Sequence, residues 1–142
     1  MGNQTTRASS DDAGKLVLRL TLGVLLLFHG YAKLTGSFGF IEGVVGKAGL
    51  PHFVAYLVFL GEVVGPVLVI LGLWTRIGGL LIMINMLFAI FLVLVHRPGL
   101  FSLAQGGGWS QELSAFFLLS GLAVSLLGAG RYSVGGSAGR WN

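Results

Sequence analysis

The 142-residue chain carries nine Lys or Arg and five Asp or Glu, a net charge of +4, and 54% of its residues are hydrophobic but only 10% charged. Soluble domains carry roughly 25% charged residues, so this composition, with a mean hydropathy of +0.86, excludes an ordinary water-soluble domain. The sequence has no cysteine, which excludes thiol–disulfide chemistry, iron–sulfur ligation and covalent c-type haem in this chain.

The chain divides into a polar start, a long apolar middle and a polar end. Residues 1–14, MGNQTTRASSDDAG, are small and polar and predict a disordered cytoplasmic tail. Residues 15–130 predict one membrane domain, since a chain of this length has no room for a second core. Residues 131–142 predict a polar, flexible C-terminal tail.

Four apolar runs occupy the middle of the chain, at residues 16–34, 53–74, 77–95 and about 113–129. Each has roughly the 17 to 25 residues that cross a hydrocarbon core. Inside a bilayer every backbone amide has to be bonded within its own segment, which favours helices. The sequence therefore predicts an all-α fold, a membrane four-helix bundle of antiparallel transmembrane helices.

The connections between these runs differ in character. The two residues Thr75 and Arg76 form a minimal turn, while residues 36–51 are glycine-rich and amphipathic and predict a short helix in the membrane interface. Residues 97–111 contain Pro98 and the glycines 106–108, which exclude a regular helix throughout. That segment is either a flexible linker or a loop folded back over the mouth of the bundle, with Trp109 at the interface.

The basic residues are distributed unevenly along the chain. More basic residues are expected on one side of the membrane than on the other. The smaller group comprises Lys33, Lys47 and Arg97. The larger group comprises Arg7, Lys15, Arg19, Arg76, Arg131 and Arg140. By the positive-inside rule this predicts a multi-pass protein of the inner (plasma) membrane with both termini in the cytoplasm. The basic residues form no block, so no nucleic acid is expected as a partner.

Polar side chains are concentrated in the outer half of the predicted bundle. Counting 1.5 Å per residue from the helix ends places His29 at a depth of about 9 Å, Glu62 at about 15 Å and Asn85 at about 18 Å. The remaining three lie near the outer helix ends: Lys33, His96 and Glu112. Any of these six residues is a candidate for ligand binding or proton handling.

Glu62 is the most informative of them. A charge at bilayer depth costs about 2.5 to 3.5 kcal/mol on insertion scales, so its carboxyl should be protonated or paired. His29 is nearest in depth, and the sequence predicts a His29–Glu62 pair that shares a proton or ligand. The alternative is a purely structural polar network, in which Lys33 extends to the headgroups and Asn85 links two helices.

The residues around Glu62 favour a pocket over solid packing. Gly61 and Gly65 have the spacing that lets two helices approach closely. Pro66 predicts a kink just beyond Glu62 and frees backbone groups. No metal or haem is predicted, because the three histidines are expected at different depths.

The order of several segments resembles the DoxX family of small bacterial and archaeal membrane proteins. These segments are LRLTLGVLLLFHGYAKL, GEVVGPVLVILGLWTRIGG, GGGWSQEL and GAGRYSV. The resemblance implies a four-helix membrane bundle. It also implies association with quinone-linked or oxidative-stress redox complexes, since some relatives are subunits of quinol- or thiosulfate-oxidising systems.

These observations lead to one hypothesis and two alternatives. The hypothesis is a membrane subunit of a redox complex, with an outward-opening polar pocket that binds a quinone-like ligand. Because the chain offers no electron carrier of its own, it would be an incomplete enzyme that needs a partner redox enzyme or a homo-oligomer in the lipid bilayer. The alternatives are a non-enzymatic scaffold or assembly protein, and a small-molecule transporter that works as an oligomer.

Overall fold

A computed structural model of the chain describes residues 2–96, 99, 101–136 and 138–142. The elements in these residues are helical, and extended pairing is limited there to one isolated bridge between Leu103 and Trp109. Three segments, Ser9–Gly36, Phe53–Leu71 and Thr75–Leu94, are long and apolar enough to cross a membrane. The all-α prediction is confirmed, whereas the fourth apolar helix has 16 residues and a length of about 24 Å.

The helices follow one another with few long connections. Helix α1 (Gly2–Ala32) runs through a π-helical segment, π1 (Lys33–Ser37), into α2 (Phe38–Lys47). The chain bends between them at Gly36, whose φ is 170° and ψ −16°. The second apolar run consists of α3 (Phe53–Tyr56), a π-helical segment π2 (Leu60–Val64) and α4 (Gly65–Leu71). Two further helices complete the fold, α5 (Thr75–His96) and α6 (Glu112–Leu127).

The start of the chain differs from the disordered tail expected over residues 1–14, because α1 is helical from Gly2 onwards. Asp12 is buried, and its carboxylate accepts a hydrogen bond of 3.2 Å from the backbone N–H of Arg131. The Arg131 guanidinium lies 3.9 Å from the same carboxylate. The polar first turns of α1 are therefore held by the segment that follows α6.

The main core lies where α1, α4, α5 and α6 meet. Its buried side chains are Leu22, Leu26, Val69, Ile82, Met86, Phe117 and Val124. A second, smaller core joins α2, α3 and α5 through Val45, Ala55 and Leu92. Helix α2, predicted as a short interfacial helix, thus packs onto the bundle through one buried face.

Close backbone contacts position α5 between its neighbours. A Cβ on Gly79 would lie 2.6 Å from the carbonyl oxygen of Gly121 in α6. A Cβ on Gly78 would lie 2.9 Å from the carbonyl oxygen of Gly65 in α4. These contacts exclude larger residues at both crossings and bring the second apolar run and α6 directly against α5.

Two arginines, Arg19 and Arg76, form hydrogen bonds that join the helices at the end of the bundle opposite Lys33. The Arg19 side chain is 1% exposed, and its guanidinium donates to the carbonyl oxygens of Val69 (2.8 Å), Ile70 (3.0 Å), Tyr132 (3.0 Å) and Ala129. Arg76 donates to the carbonyl oxygens of Ser125, Leu126 and Asn142. The segment after α6, expected to be flexible, is thereby bonded to α1 and α5.

Candidate functional site

The second apolar run changes its helical pitch at Glu62. Residues 60–64 form π2, and Pro66 stands in the first turn of α4, directly after it. Pro66 lacks a backbone N–H and the wider π turn accommodates this without a sharp break. The sequence predicts a kink at Pro66, and the structure has a π-helical segment directly before it; π-helical turns of this kind occur frequently at functional sites.

The Glu62 carboxylate is buried, at 2% exposure, and is held mainly from one side. Its Oε1 forms an ion pair with the Lys33 ammonium group, and the Asn85 amide nitrogen lies 3.5 Å from the same oxygen. Its Oε2 is buried and has no hydrogen-bond partner among the described residues. A buried carboxylate oxygen without a partner is uncommon, and a missing hydrogen-bond donor is one explanation of it.

The pairing of Glu62 differs from the sequence prediction. Lys33, not His29, reaches the carboxylate. His29 lies one helical turn earlier on α1, is exposed, and packs edge-to-face against Phe117 of α6, with ring centroids 5.5 Å apart. The predicted His29–Glu62 pair is wrong: the His29 ring packs against Phe117, and Lys33, one turn later at the start of π1, is the side chain that meets the carboxylate.

Two glycines provide the space for this arrangement. A Cβ on Gly30 would lie 2.5 Å from the carbonyl oxygen of Glu62, so α1 approaches π2 at van der Waals limits. A Cβ on Gly61 would overlap the Cβ of Asn85. Glycine at position 61 therefore lets the Asn85 side chain pass across the helix to the carboxylate.

A cavity of about 1150 Å³ extends from this polar group. Lys33, Glu62 and Asn85 lie together in its wall, which is otherwise mainly apolar. The apolar lining comes from α2, α3, π2 and α5, and includes Phe40, Val44, Val54, Leu57, Leu60, Ile84, Phe88 and Leu92. The cavity combines a large apolar volume with a few convergent polar groups, which is typical of small-molecule sites.

The loop before α6 forms another part of the wall. Ser102, Gln105, Ser110 and Gln111 contribute its polar lining there. The loop is folded, since Ser110 N–H donates to the Ser102 carbonyl oxygen at 2.9 Å and the two hydroxyl oxygens are 2.8 Å apart. The alternative of a loop folded back over the pocket is thus favoured over a flexible linker.

The other predicted site residues lie elsewhere or are only partly described. Glu112 is exposed at the start of α6, with its carboxylate against Gly108. Among the described residues of the cavity wall, neither His29 nor Glu112 occurs. His96 ends α5, and its side chain lies outside the described residues, as do Arg97 and Pro98.

The sequence interpretation missed the role of Arg19, which was assigned to membrane orientation alone. Its position among apolar residues 16–34 was the available signal, because a cation within such a run needs compensating partners. Among the described residues, no group of three or more His, Asp or Glu side chains is placed to hold a metal ion.

Comparison with known proteins agrees with this architecture. The profile of the DoxX family matches residues 14–97. A protein of Bacillus subtilis (strain 168) named "Putative oxidoreductase CatD" is 33% identical over 120 residues, covering 84% of this chain and 83% of the relative. An uncharacterized protein of Haemophilus influenzae (strain ATCC 51907 / DSM 11121 / KW20 / Rd) is 32% identical over 103 residues, covering 71% and 75%.

No solved structure matches the chain significantly. The family match includes α1 from residue 14 onwards, π1, the whole second apolar run and α5, and therefore the elements that carry Lys33, Glu62 and Asn85. It covers more than half of the chain, and the Bacillus subtilis relative is similar over most of its own length. The chain belongs to the DoxX family.

Proposed function

We propose that this protein is a membrane subunit of a quinone-linked redox system and binds a quinone-like ligand in the cavity beside Glu62. The observation that carries the proposal is the buried Glu62 Oε2, which lacks a donor among the described residues at the wall of an otherwise apolar cavity. A redox association is also consistent with the name of the Bacillus subtilis relative. The proposal assigns this chain the binding of the ligand and assigns electron transfer to a partner.

The residues present fit a quinone head group. Its carbonyl oxygens accept hydrogen bonds, and the Lys33 ammonium and Asn85 amide are donors in the cavity wall. The Glu62 carboxylate can accept a hydrogen bond from a ligand hydroxyl. The apolar lining of α2, α3 and α5 offers the dry surface that an attached hydrocarbon chain requires.

Each polar residue then has one task. A bound quinone supplies two-electron, two-proton redox chemistry. The Glu62 carboxylate accepts a hydrogen bond from the ligand at Oε2, Lys33 balances the carboxylate charge, and Asn85 orients Oε1. The low dielectric of the site strengthens these interactions, and the apolar wall excludes water from them.

The proposal includes the membrane arrangement. Helix α6 is the fourth span, although it is short, and short spans are accommodated by local thinning of the bilayer. With Arg19, Arg76 and Arg131 on the cytoplasmic side, both termini face the cytoplasm of the inner membrane and the cavity lies towards the outside. Reporter fusions at residues 2 and 142 should report cytoplasm, and a tag between residues 106 and 108 should report the exterior.

Binding of a tail-free quinone tests the function directly. The wild-type protein in lipid nanodiscs should bind 2,3-dimethoxy-5-methyl-1,4-benzoquinone in equilibrium dialysis. Replacing Glu62 by Gln removes the charge and keeps the shape, and should weaken binding by about 10-fold or more, as expected for loss of a hydrogen bond to a charged group.

The matched control is Glu42→Gln. Glu42 is a carboxylate on α2 whose Oε1 lies 3.6 Å from His52 Nδ1, and it lies outside the described cavity wall. This variant should bind like the wild type. Absence of binding to the wild-type protein, or equal binding by both variants, would contradict the proposal and favour a scaffold in which the Lys33–Glu62 pair only joins two helices.

A further inference from the structure

We infer that the ligand of the cavity carries a long apolar tail and enters sideways from the bilayer, between π2 and α5. The inference rests on the proposed function for the head group, and it adds the class of ligand and its route. It follows from the position of the cavity, from the apolar residues that are exposed at its rim and from the polar loop that lines another side of it.

The cavity lies beside the main core and not inside it. In α5 the core residues Ile82 and Met86 are buried against α1, α4 and α6. The cavity is lined from a different face of α5, by Leu81, Ile84 and Asn85 among others. Of the described lining residues, Lys33 is the contribution of the α1–π1 helix, and α6 contributes none of its helical residues. The second and third candidate spans together with α2 therefore form most of the apolar wall, and the first span reaches the cavity through Lys33 alone among the described lining residues.

The rim of this cavity is exposed at membrane depth. Leu57, Leu60 and Ile84 line the cavity and are 49%, 44% and 58% exposed. All three belong to the segments that are long and apolar enough to cross a membrane. Apolar surface at this depth contacts either lipid chains or a ligand. In both cases it is not exposed to water, so it carries no hydrophobic penalty.

The rim lies next to the polar group. Leu60 precedes Gly61 and Ile84 precedes Asn85, and Gly61 and Asn85 are in direct contact. A tail passing Leu60 and Ile84 therefore starts from a head group at Glu62. The cavity volume of about 1150 Å³ exceeds the roughly 300 to 1,000 Å³ of pockets for drug-sized ligands, which leaves room for several tail carbons inside the protein.

The loop before α6 lines another side of the cavity with polar side chains. The Leu103–Trp109 bridge and the Ser102–Ser110 hydrogen bonds fix this loop. A ligand that entered from water past the loop would pass these polar side chains, whereas a ligand that entered from the bilayer past Leu57, Leu60 and Ile84 would pass apolar side chains.

Photolabelling of the wild-type protein tests the inference without any destabilising substitution. The probe is the same benzoquinone with a ten-carbon tail that ends in a diazirine, irradiated in nanodiscs and mapped by mass spectrometry. Labelling should concentrate on residues 57–60 and 84–88 and fall at least 5-fold with excess decyl-tailed quinone lacking the diazirine. Uniform labelling of α1, α5 and α6 that competitor does not reduce would overturn the inference.

A second test measures the association rate of the quinone with variants that narrow the rim of the cavity. Ile84→Trp narrows the rim and should slow association of the decyl-tailed quinone at least 5-fold relative to the wild type. Leu87→Trp is the control and should leave this rate unchanged, since Leu87 is also exposed on α5 and is not among the described lining residues. Equal slowing by both variants, or no slowing by Ile84→Trp, would contradict lateral entry.

The outcomes separate the two proposals. Tail-free binding that depends on Glu62, with tail labels on α6, would retain the proposed function and overturn lateral entry. Loss of all quinone binding in the wild-type protein would overturn both. Crosslinks between residues 60 or 84 of two copies, in the absence of quinone, would show that a second copy covers the rim and would also overturn lateral entry.

Discussion

The two ends of the bundle bury cations in opposite ways. At one end the Arg19 guanidinium donates to four backbone carbonyl oxygens, from the end of α4 and from the segment after α6. At the other end the Lys33 ammonium meets a single carboxylate oxygen of Glu62, while the second oxygen has no partner among the described residues. The Arg19 end is saturated with hydrogen bonds and closely packed, whereas the Lys33 end borders a cavity.

This difference separates a structural charge from a candidate functional one. Carbonyl groups at helix ends carry partial negative charge, so a guanidinium there stabilises the helices without any acidic partner. An ion pair with one unused oxygen at the wall of a cavity retains capacity for a further donor. We expect substitutions at the Arg19 end to change stability alone, and substitutions at the Lys33 end to change ligand binding as well.

The largest effect is expected for Arg19→Met. The variant leaves four carbonyl oxygens without their donor, and at about 1 to 3 kcal/mol for each unpaired group the loss in free energy of unfolding should be at least about 4 kcal/mol. Unfolding in mixed micelles by titration with SDS measures it. Arg131→Met is the control, since its exposed ion pair should contribute less than about 1 kcal/mol. Similar losses in both variants would remove the contrast between the two ends.

A smaller loss of stability is expected for Lys33→Met. It leaves the Glu62 carboxylate unpaired within a candidate span, at a cost of about 2.5 to 3.5 kcal/mol on insertion scales. The double variant Lys33→Met, Glu62→Gln removes both charges and should regain most of this loss. The same SDS titration, applied to all four proteins as a double-mutant cycle, measures the coupling. Additive losses would mean that the two side chains do not interact in the membrane.

Gly61→Ala should cost about 1 to 3 kcal/mol by overpacking, because the new Cβ would overlap the Cβ of Asn85. Displacement of Asn85 should also weaken binding of the tail-free quinone. Gly39→Ala is the matched control, since Gly39 is a helical glycine with no neighbour within 4 Å of a built Cβ. An unchanged Gly61→Ala protein would show that this helix contact is not close.

The smallest effect is expected for His29→Ala. It removes an edge-to-face contact with Phe117, which contributes about 0.5 to 1.5 kcal/mol. Binding of the tail-free quinone should stay within 2-fold of wild type in equilibrium dialysis. A loss of binding as large as that of Glu62→Gln would restore His29 to the site and contradict the pairing with Lys33.

The sequence predicts where along the chain the helices lie better than how they face each other. The apolar runs follow from composition alone, and the cost of burying Glu62 predicts that it has a partner. His29 and Lys33 are four residues apart and share one helix face, so the periodicity does not decide which of them meets Glu62. The close approach of Gly30 to the backbone of Glu62 fixes how α1 lies along π2, and no local pattern reveals this contact.

The role of Arg19 shows a second limit. Its partners are backbone carbonyl oxygens, which every residue possesses, so no partner residue type appears in the sequence. The same holds for the first turns of α1, which are held at Asp12 by a backbone N–H over a hundred residues away. Backbone groups that form such hydrogen bonds can be identified only when the packing of the helices is known.

The π-helical segment π2 implies a dependence on exact chain length around Glu62. An α-helix turns by about 100° per residue, and a π-helical turn holds an additional residue within one turn. Deleting one residue between Leu60 and Val64 would restore regular α-helical geometry and leave the two halves of the span in phase, because the additional residue lies within a single turn. The π2 segment therefore adds a residue at Glu62 without changing the face that α3 presents to the cavity, so a single-residue deletion in π2 should displace the Glu62 carboxylate more than it displaces α3.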